Sequence, residues 1–257
     1  MIKRIAVFLY GVACYAVFFG TFLYAVGFIG NLFVPKSMDS RAETPFLHAL
    51  VIDLLLLGVF AVQHSVMARP WFKKAWTKVV PEPAERSTYV LFSSLALILM
   101  FICWQPLGGS VWNIENHTGR ALMYNVYFLG FGLVLISTFL INHFDLFGLR
   151  QVWLYLTGQP YTHLKFRTPL FYKYVRHPLY VGWFLTFWAT PTMTITHLVF
   201  AIMTSAYILM AIRWEENDLI MVHGDKYAKY RESVPMLIPA TKAYQAPSRK
   251  YAANSAA

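Results

Sequence analysis

Four long runs without a run of charges, Ile5 to Val34, Phe46 to Met67, Tyr89 to Leu107 and Ala121 to Ile141, constrain this chain more than any other feature. A bilayer core demands about 20 consecutive apolar residues per helix, because backbone polar groups find no water there. Each run is long enough. A fifth stretch, Leu179 to Ile212, is too long for one ordinary span, and Pro191, Thr192, Thr194 and Thr196 fall near its middle, so it predicts a helical hairpin of two short spans. The expectation is an all-α integral membrane protein with about six transmembrane helices, the last two forming a short hairpin. The first run lacks the short apolar core and small-residue cleavage site of a signal peptide and is expected to remain in the mature chain.

Composition agrees: 58% of residues are hydrophobic and 13% charged, with a mean hydropathy of +0.48. The net charge of +10 does not mark a nucleic-acid surface, since the basic residues lie between apolar runs rather than in one stripe. With six spans, 19 of the 22 Lys and Arg residues fall on one side, and only Lys36, Arg41 and Arg120 on the other. The positive-inside rule then makes both termini cytoplasmic and the location a cell inner membrane. A single span over Leu179 to Ile212 would put the seven basic residues from Arg213 onward outside, which favours the hairpin. Cys14 and Cys103 lie within spans without metal-ligand spacing and are expected to be structural thiols.

The whole chain, 1–257, is expected to be one membrane domain: four spans in 1–141, then a cytoplasmic cap, hairpin and binding module in 142–240, and a tail in 241–257, frayed from Gln245. Between Asn142 and His177 a loop beyond about 15 residues is functional or disordered. Trp153, Tyr155, Tyr161, Phe166, Phe171, Tyr172 and Tyr174 predict an ordered cap. After Gly224, an N-cap at Asp225 and helical spacing of Tyr227, Tyr230 and Val234 predict a short amphipathic helix ended by Pro235.

The segment Tyr174-Val175-Arg176-His177-Pro178-Leu179-Tyr180-Val181-Gly182 enters the fifth apolar stretch. Pro178 suits the first position of a helix, whose free N–H groups beside Arg176 and His177 favour a carboxylate or an acceptor-rich ring; a basic interfacial anchor is the other reading. At the returning end of the hairpin stand Arg213, Glu215, Glu216 and Asp218. Glu215 and Glu216 point about 100° apart, so one is free to accept ligand hydrogen bonds while the other pairs with Arg213 or Arg176. A solvated helix end is the alternative.

RHPLYVG, a hydrophobic hairpin, EE and then HGDKYAKYRESVPMLIP resemble the isoprenylcysteine carboxyl methyltransferase superfamily of membrane enzymes over roughly the last hundred residues. QHSVMARPWFK near residue 63, AERSTYVL near 84 and NHFDLFGLRQVW near 142 extend the resemblance over most of the chain, toward a bacterial branch, the methanethiol S-methyltransferases. The resemblance implies an S-adenosylmethionine-dependent methyltransferase that converts methanethiol to dimethyl sulfide, with the cofactor on Arg176, His177, Pro178, Tyr180, Gly182, Glu215 and Glu216. Gln151 and Tyr174, at the same depth, join that set. Other thiols, an isoprenylcysteine carboxylate or a lipid amine remain open as acceptors.

His64, Arg69, Arg86, His143, Asp145, Arg150 and Gln151 are expected at the same inner boundary. A thiol reacts as its thiolate, so His64, His143 and Asp145 are candidate bases or base-orienters and Arg150 a thiolate stabiliser. Capping or interhelical hydrogen bonding would explain each equally well. Asp53, within a span, is expected to be functional or half of a buried pair. The scheme calls for no metal; its partners are a small thiol and the bilayer, with oligomeric state open. Two non-enzymatic readings compete: a membrane cytochrome with haems on His48, His197, His64 and His143, and a transporter-like subunit. Gly130-Phe131-Gly132 lies inside a span with no strand before it and is no dinucleotide fingerprint.

Overall fold

The computed structural model describes residues 1–245; the tail expected from Gln245 lies, beyond that first residue, outside the described residues. Five helices are long and apolar enough to cross a membrane: α1 (Ile2–Gly30), α2 (Phe46–Ala68), α4 (Glu82–Cys103), α5 (His117–Ile141) and α9 (Ile195–His223). A short α3 (Pro70–Trp76) joins α2 to α4. The chain is an all-α membrane protein, and its one described sheet is a two-stranded antiparallel ladder of β1 (Ser110–Asn113) and β2 (Thr192–Thr194).

The fifth apolar stretch, expected as a hairpin of two short spans, folds as two arms of very different length. It divides into α8 (Pro178–Trp188), 11 residues, and α9, 29 residues. At 1.5 Å per residue α8 is about 16 Å long, half a bilayer core. The break falls at Pro191, where β2 pairs with β1 and the Thr194 hydroxyl accepts the backbone N–H of His197 to cap α9. The longer arm runs past Ile212 to His223, beyond the end of the apolar stretch.

Because the long spans alternate in direction, one end of the bundle, here the terminal end, gathers the N-terminus, α3, residues 142–177 and 224–245. The opposite end gathers residues 31–45, 104–116 and 189–194. The expected cap is ordered as α6 (His143–Leu146), α7 (Leu149–Thr157), an extended stretch and a 3-10 turn (Leu170–Lys173). It is pinned to α1, with the Arg4 guanidinium 5.7 Å from the Tyr155 ring and Phe8 edge-on to Trp153 at 5.8 Å. The amphipathic helix α10 (Asp225–Ser233) is present, but Gly224 at φ 55° occupies the cap position and Asp225 is its first helical residue. Only glycine adopts that backbone freely.

At the opposite end Asp39 ties three elements together. It accepts from Asn31 Nδ2 at 2.6 Å, from the Thr194 hydroxyl and from His197 Nδ1 at 3.2 Å, while His197 Nε2 meets the Phe187 carbonyl at 3.0 Å. Both ring nitrogens of His197 are thus engaged, which removes the axial ligand that the cytochrome reading needs. Asp53 is neither paired nor near the terminal end: Oδ1 accepts the Gln105 backbone N–H at 2.9 Å and the buried Oδ2 has no partner.

α8 packs along α5 through two facing glycines. A Cβ on Gly182 would lie 2.7 Å from the Gly130 carbonyl oxygen, and one on Gly130 would lie 2.8 Å from the Gly182 oxygen. Gly182→Ala is therefore expected to cost about 1 to 3 kcal/mol through overpacking, lowering the melting midpoint in detergent by several degrees. Gly132→Ala, whose Cβ meets nothing within 4 Å, is expected to leave the midpoint unchanged or raised; equal effects of the two would remove the glycine contact as the reason α8 sits on α5.

Candidate functional site

The residues at the entry to α8 and the end of α9 converge on one carboxylate. His177 is the N-cap of α8 and Pro178 its first residue, and no side chain caps the helix. Glu216 Oε1 lies 2.8 Å from Arg176 Nε and 3.0 Å from His177 Nε2, with Glu216 8% and His177 5% exposed. Tyr180 donates to Glu215 Oε2 at 2.8 Å. So Glu216 takes Arg176, while Glu215 faces the first turn of α8.

Arg176 also reaches past α10: its Nη1 donates to the carbonyls of Val234, at 3.0 Å, and Arg231. The backbone after α10 laces onto the same segment, with Arg176 N to Pro235 O at 2.9 Å, His177 N to Met236 O at 3.2 Å and Ala240 N to Tyr174 O at 2.7 Å. The Tyr174 side chain is 40% exposed. Beside this lacing the Tyr227 hydroxyl is buried without a partner. Burial first, and then the Glu216 and Glu215 carboxylates, push its phenol above the ordinary value, so it stays a donor at neutral pH.

The two arms meet only through long side chains here. Between the same two pins, Phe187 with His197 and His177 with Glu216, α8 advances about 15 Å and α9 about 28 Å. The helices therefore cannot run side by side at the terminal end. Tyr207 of α9 instead reaches α2, its hydroxyl 2.9 Å from Ser65 Oγ. Tyr207 and Tyr89 of α4 lie within electrostatic reach of Tyr180.

His64 adjoins this group. Its Nδ1 is 3.1 Å from Ser93 Oγ, its Nε2 is 2.9 Å from the Tyr89 hydroxyl, and Phe60 stacks on its ring at 5.2 Å. Arg86 lies 5.0 Å over the Tyr89 ring and donates through Nε to the Leu146 carbonyl at 2.7 Å, linking α4 to the cap. Arg69 pairs with Asp218 at 3.2 Å across the same end.

The other sequence candidates form a separate cluster under the cap. His143 Nε2 faces the Tyr15 hydroxyl and Nδ1 the Thr138 hydroxyl, each at 2.8 Å, with Phe139 stacked on the ring at 4.1 Å. Asp145 Oδ1 takes Arg150 at 2.8 Å, and Arg150 extends to Thr162, so this pair fastens the extended part of the cap. Gln151 Nε2 donates to the Asp145 carbonyl at 3.0 Å, and its buried Oε1 has no partner. Gly182 points at α5 rather than toward Glu215.

Sequence reasoning missed Tyr89, Ser93, Tyr207 and Tyr227. The four-residue spacing of Tyr89 and Ser93, which puts both on one face of α4, was the available signal.

Burial also pushes the His143 imidazole below its ordinary value. The fold favours its neutral form, so below about pH 6.5 the unfolded chain binds more protons and stability falls as pH drops toward the depressed folded value. Melting midpoints in detergent between pH 7.5 and 5 should show this decline, and His143→Gln should make the slope shallower. An unchanged slope would take His143 out of the acid response.

No family model matches the chain, and no solved structure does. Curated relatives do. The methanethiol S-methyltransferase of Crocosphaera subtropica is 61% identical over 238 residues, 93% of this chain and 93% of that protein. That of Mycobacterium tuberculosis is 49% identical over 92% of this chain and 97% of its own. Nurim of Xenopus laevis is 28% identical over 75% of this chain and 70% of its own.

Proposed function

The chain belongs to the methanethiol S-methyltransferase family, and from that membership we propose that it transfers a methyl group from S-adenosylmethionine to methanethiol, giving dimethyl sulfide, at a cytoplasm-facing site inside the membrane. The convergence of Arg176 and His177 on Glu216 and of Tyr180 on Glu215, where α8 begins and α9 ends, carries this reading.

The residues there suit the cofactor. The uncapped start of α8 offers N–H groups to a carboxylate, Glu215 offers an acceptor to an ammonium or hydroxyls, and the buried Tyr227 hydroxyl is a donor without a partner. Pro178 sets the first turn, and Glu216 holds Arg176 and His177 in place. Tyr174 borders the site through the backbone laced to residues 235–240, Gly182 contributes through helix packing, and Gln151 stands apart under the cap. S-Adenosylmethionine supplies an electrophilic sulfonium methyl. The chain supplies orientation and a water-poor setting, which favour a reaction in which opposite charges cancel.

On the acceptor side His64 is the base. It lies on α2 against Tyr89 and Ser93 of α4, whereas His143 is saturated by Tyr15 and Thr138, and Asp145 and Arg150 neutralise each other under the cap. The acceptor, small and volatile, enters from the lipid. Both termini are cytoplasmic, supported by the excess of Lys and Arg at the terminal end.

Purified protein with labelled S-adenosylmethionine should methylate methanethiol in preference to larger thiols, an isoprenylcysteine or a lipid amine; labelling of one of the others alone would overturn the substrate. Replacing Glu215 and Glu216 together by Gln should weaken cofactor binding by at least tenfold, since hydrogen bonds to charged groups are worth about 1.5 to 3 kcal/mol each. Calorimetry showing unchanged affinity would remove both carboxylates from the site. Reporter fusions should place both termini in the cytoplasm, and an external C-terminus would overturn the orientation.

A further inference from the structure

We propose that the furrow between α1 and α4, in the half of the bundle toward the opposite end, binds an acyl chain of a membrane phospholipid whose phosphate rests on the Lys36 ammonium. The proposal stands apart from the methyl-transfer reading above.

The furrow holds about 650 Å³, within the range of about 300 to 1,000 Å³ usual for small-molecule sites. One wall is α1 from Ala16 through Gly20 to Tyr24, the other is α4 from Ile98 to Ile102, and Lys36 closes one end. Ala16, Gly20 and Tyr24 are each one turn apart and share a face of α1. Gly20 gives the furrow its depth, since a Cβ built there would meet nothing within 4 Å. From Ala16, halfway along α1, to Tyr24 the wall is about 12 Å long. One leaflet of the hydrocarbon core is about 15 Å thick. The furrow therefore lies within a single leaflet and runs from the bilayer centre to the interface, as an acyl chain does.

The polar atoms along the walls are already committed. Thr21 donates to the Val17 carbonyl at 2.7 Å and Tyr24 to the Lys36 carbonyl at 3.0 Å. The walls thus offer an occupant only apolar contact. Lys36 differs. Its Nζ donates to the Ile102 carbonyl at 2.6 Å, in the last turn of α4, where carbonyls lack intrahelical donors and a cation is favoured. This bond holds the ammonium at the mouth of the furrow and uses one of its three N–H groups, leaving two for an anion.

The nearby carboxylates do not take those two. Asp39 is engaged by Asn31, Thr194 and His197. Asp53 lies within electrostatic reach, but it is fully buried, with Oδ1 on the Gln105 backbone N–H and Oδ2 bonded to nothing.

Charge selects the occupant. A chain entering the furrow leaves lipid for a surface equally apolar, so its burial gives no preference by itself. The phosphate on Lys36 does. A second copy of the protein is the competing occupant, because Ala16 and Gly20 have the small-residue spacing of interhelical contacts. A helix laid there would cover Lys36 with apolar side chains and leave two ammonium N–H groups in hydrocarbon without acceptors, a costly arrangement. A phosphate supplies those acceptors through charge-assisted hydrogen bonds.

Photo-cross-linking of the full-length protein tests this, in phosphatidylcholine nanodiscs doped with phosphatidylglycerol that carries a diazirine midway along one acyl chain. Peptide mapping should find the label concentrated on residues 16–24 and 98–102. Gly20→Leu, which fills the furrow from a position with room for a side chain, should remove that label. Gly58→Leu on α2, equally unhindered, should keep it. Lys36→Met should lower the furrow label about fivefold, the worth of one lysine facing lipid phosphate. A phosphate-free diacylglycerol with the same photoreactive chain should show the same drop on wild-type protein, whatever the folding of the variant. Label spread evenly over the lipid-facing helices, or furrow label that survives Gly20→Leu, overturns the site. Equal furrow labelling by the two probes overturns the phosphate contact. A dimer that Gly20→Leu abolishes assigns the furrow to a second copy and overturns the proposal.

Discussion

The Glu216 carboxylate is the point on which the terminal end of the protein depends. One of its oxygens is 2.8 Å from Arg176 and 3.0 Å from His177, and very little of the residue reaches solvent. A buried charge of this kind is tolerable only when its partners are in place, because its effective desolvation penalty is several kcal/mol. The partners come from the start of α8 and the carboxylate from late in α9. Arg176 in turn holds the carbonyls that end α10. Three separate pieces of chain are therefore placed by one anionic group. The short helix is held at its entry by charge and along its length by the bare backbones at Gly130 and Gly182, so the two constraints divide its positioning between electrostatics and sterics.

Much of this was legible in the sequence, for a physical reason. A bilayer admits few structures, so four apolar runs had to be helices and Pro191 had to interrupt the fifth. Arg176, His177, Glu215 and Glu216 could be placed together because a chain that reverses at Pro191 must return its acidic end to where it entered. The unequal arms could not be read, because apolar composition continues through the stretch and says nothing about where β2 takes over. Nor could the division between the two histidines. His64 and His143 look alike in sequence, and what separates them is which helix supplies the hydroxyls: Tyr89 and Ser93 of α4, or Tyr15 and Thr138 beneath the cap. Tyr89 is an unremarkable polar residue in a span until α2 brings His64 against it.

The two ends of the bundle solve the problem of irregular backbone differently. At the opposite end, Asp39, Thr194 and His197 satisfy one another and the β1 to β2 ladder covers the turn, while Asp53 Oδ2 and Trp104 Nε1 stay without partners. At the terminal end several groups stay unspent, among them the Tyr227 hydroxyl, the Gln151 carbonyl and the first N–H groups of α8.

The length of α8 also bears on how the chain is assembled. Eleven residues cannot hold a position across a bilayer alone, so α8 gains a stable place only once α5 is already in the membrane to receive Gly182 and α9 has emerged to carry the chain back. The first four spans can enter one after another as independent helices, in the manner of a two-stage process. The last two must enter as a unit, late in synthesis, and the translating ribosome will have released most of α9 before Glu216 meets Arg176.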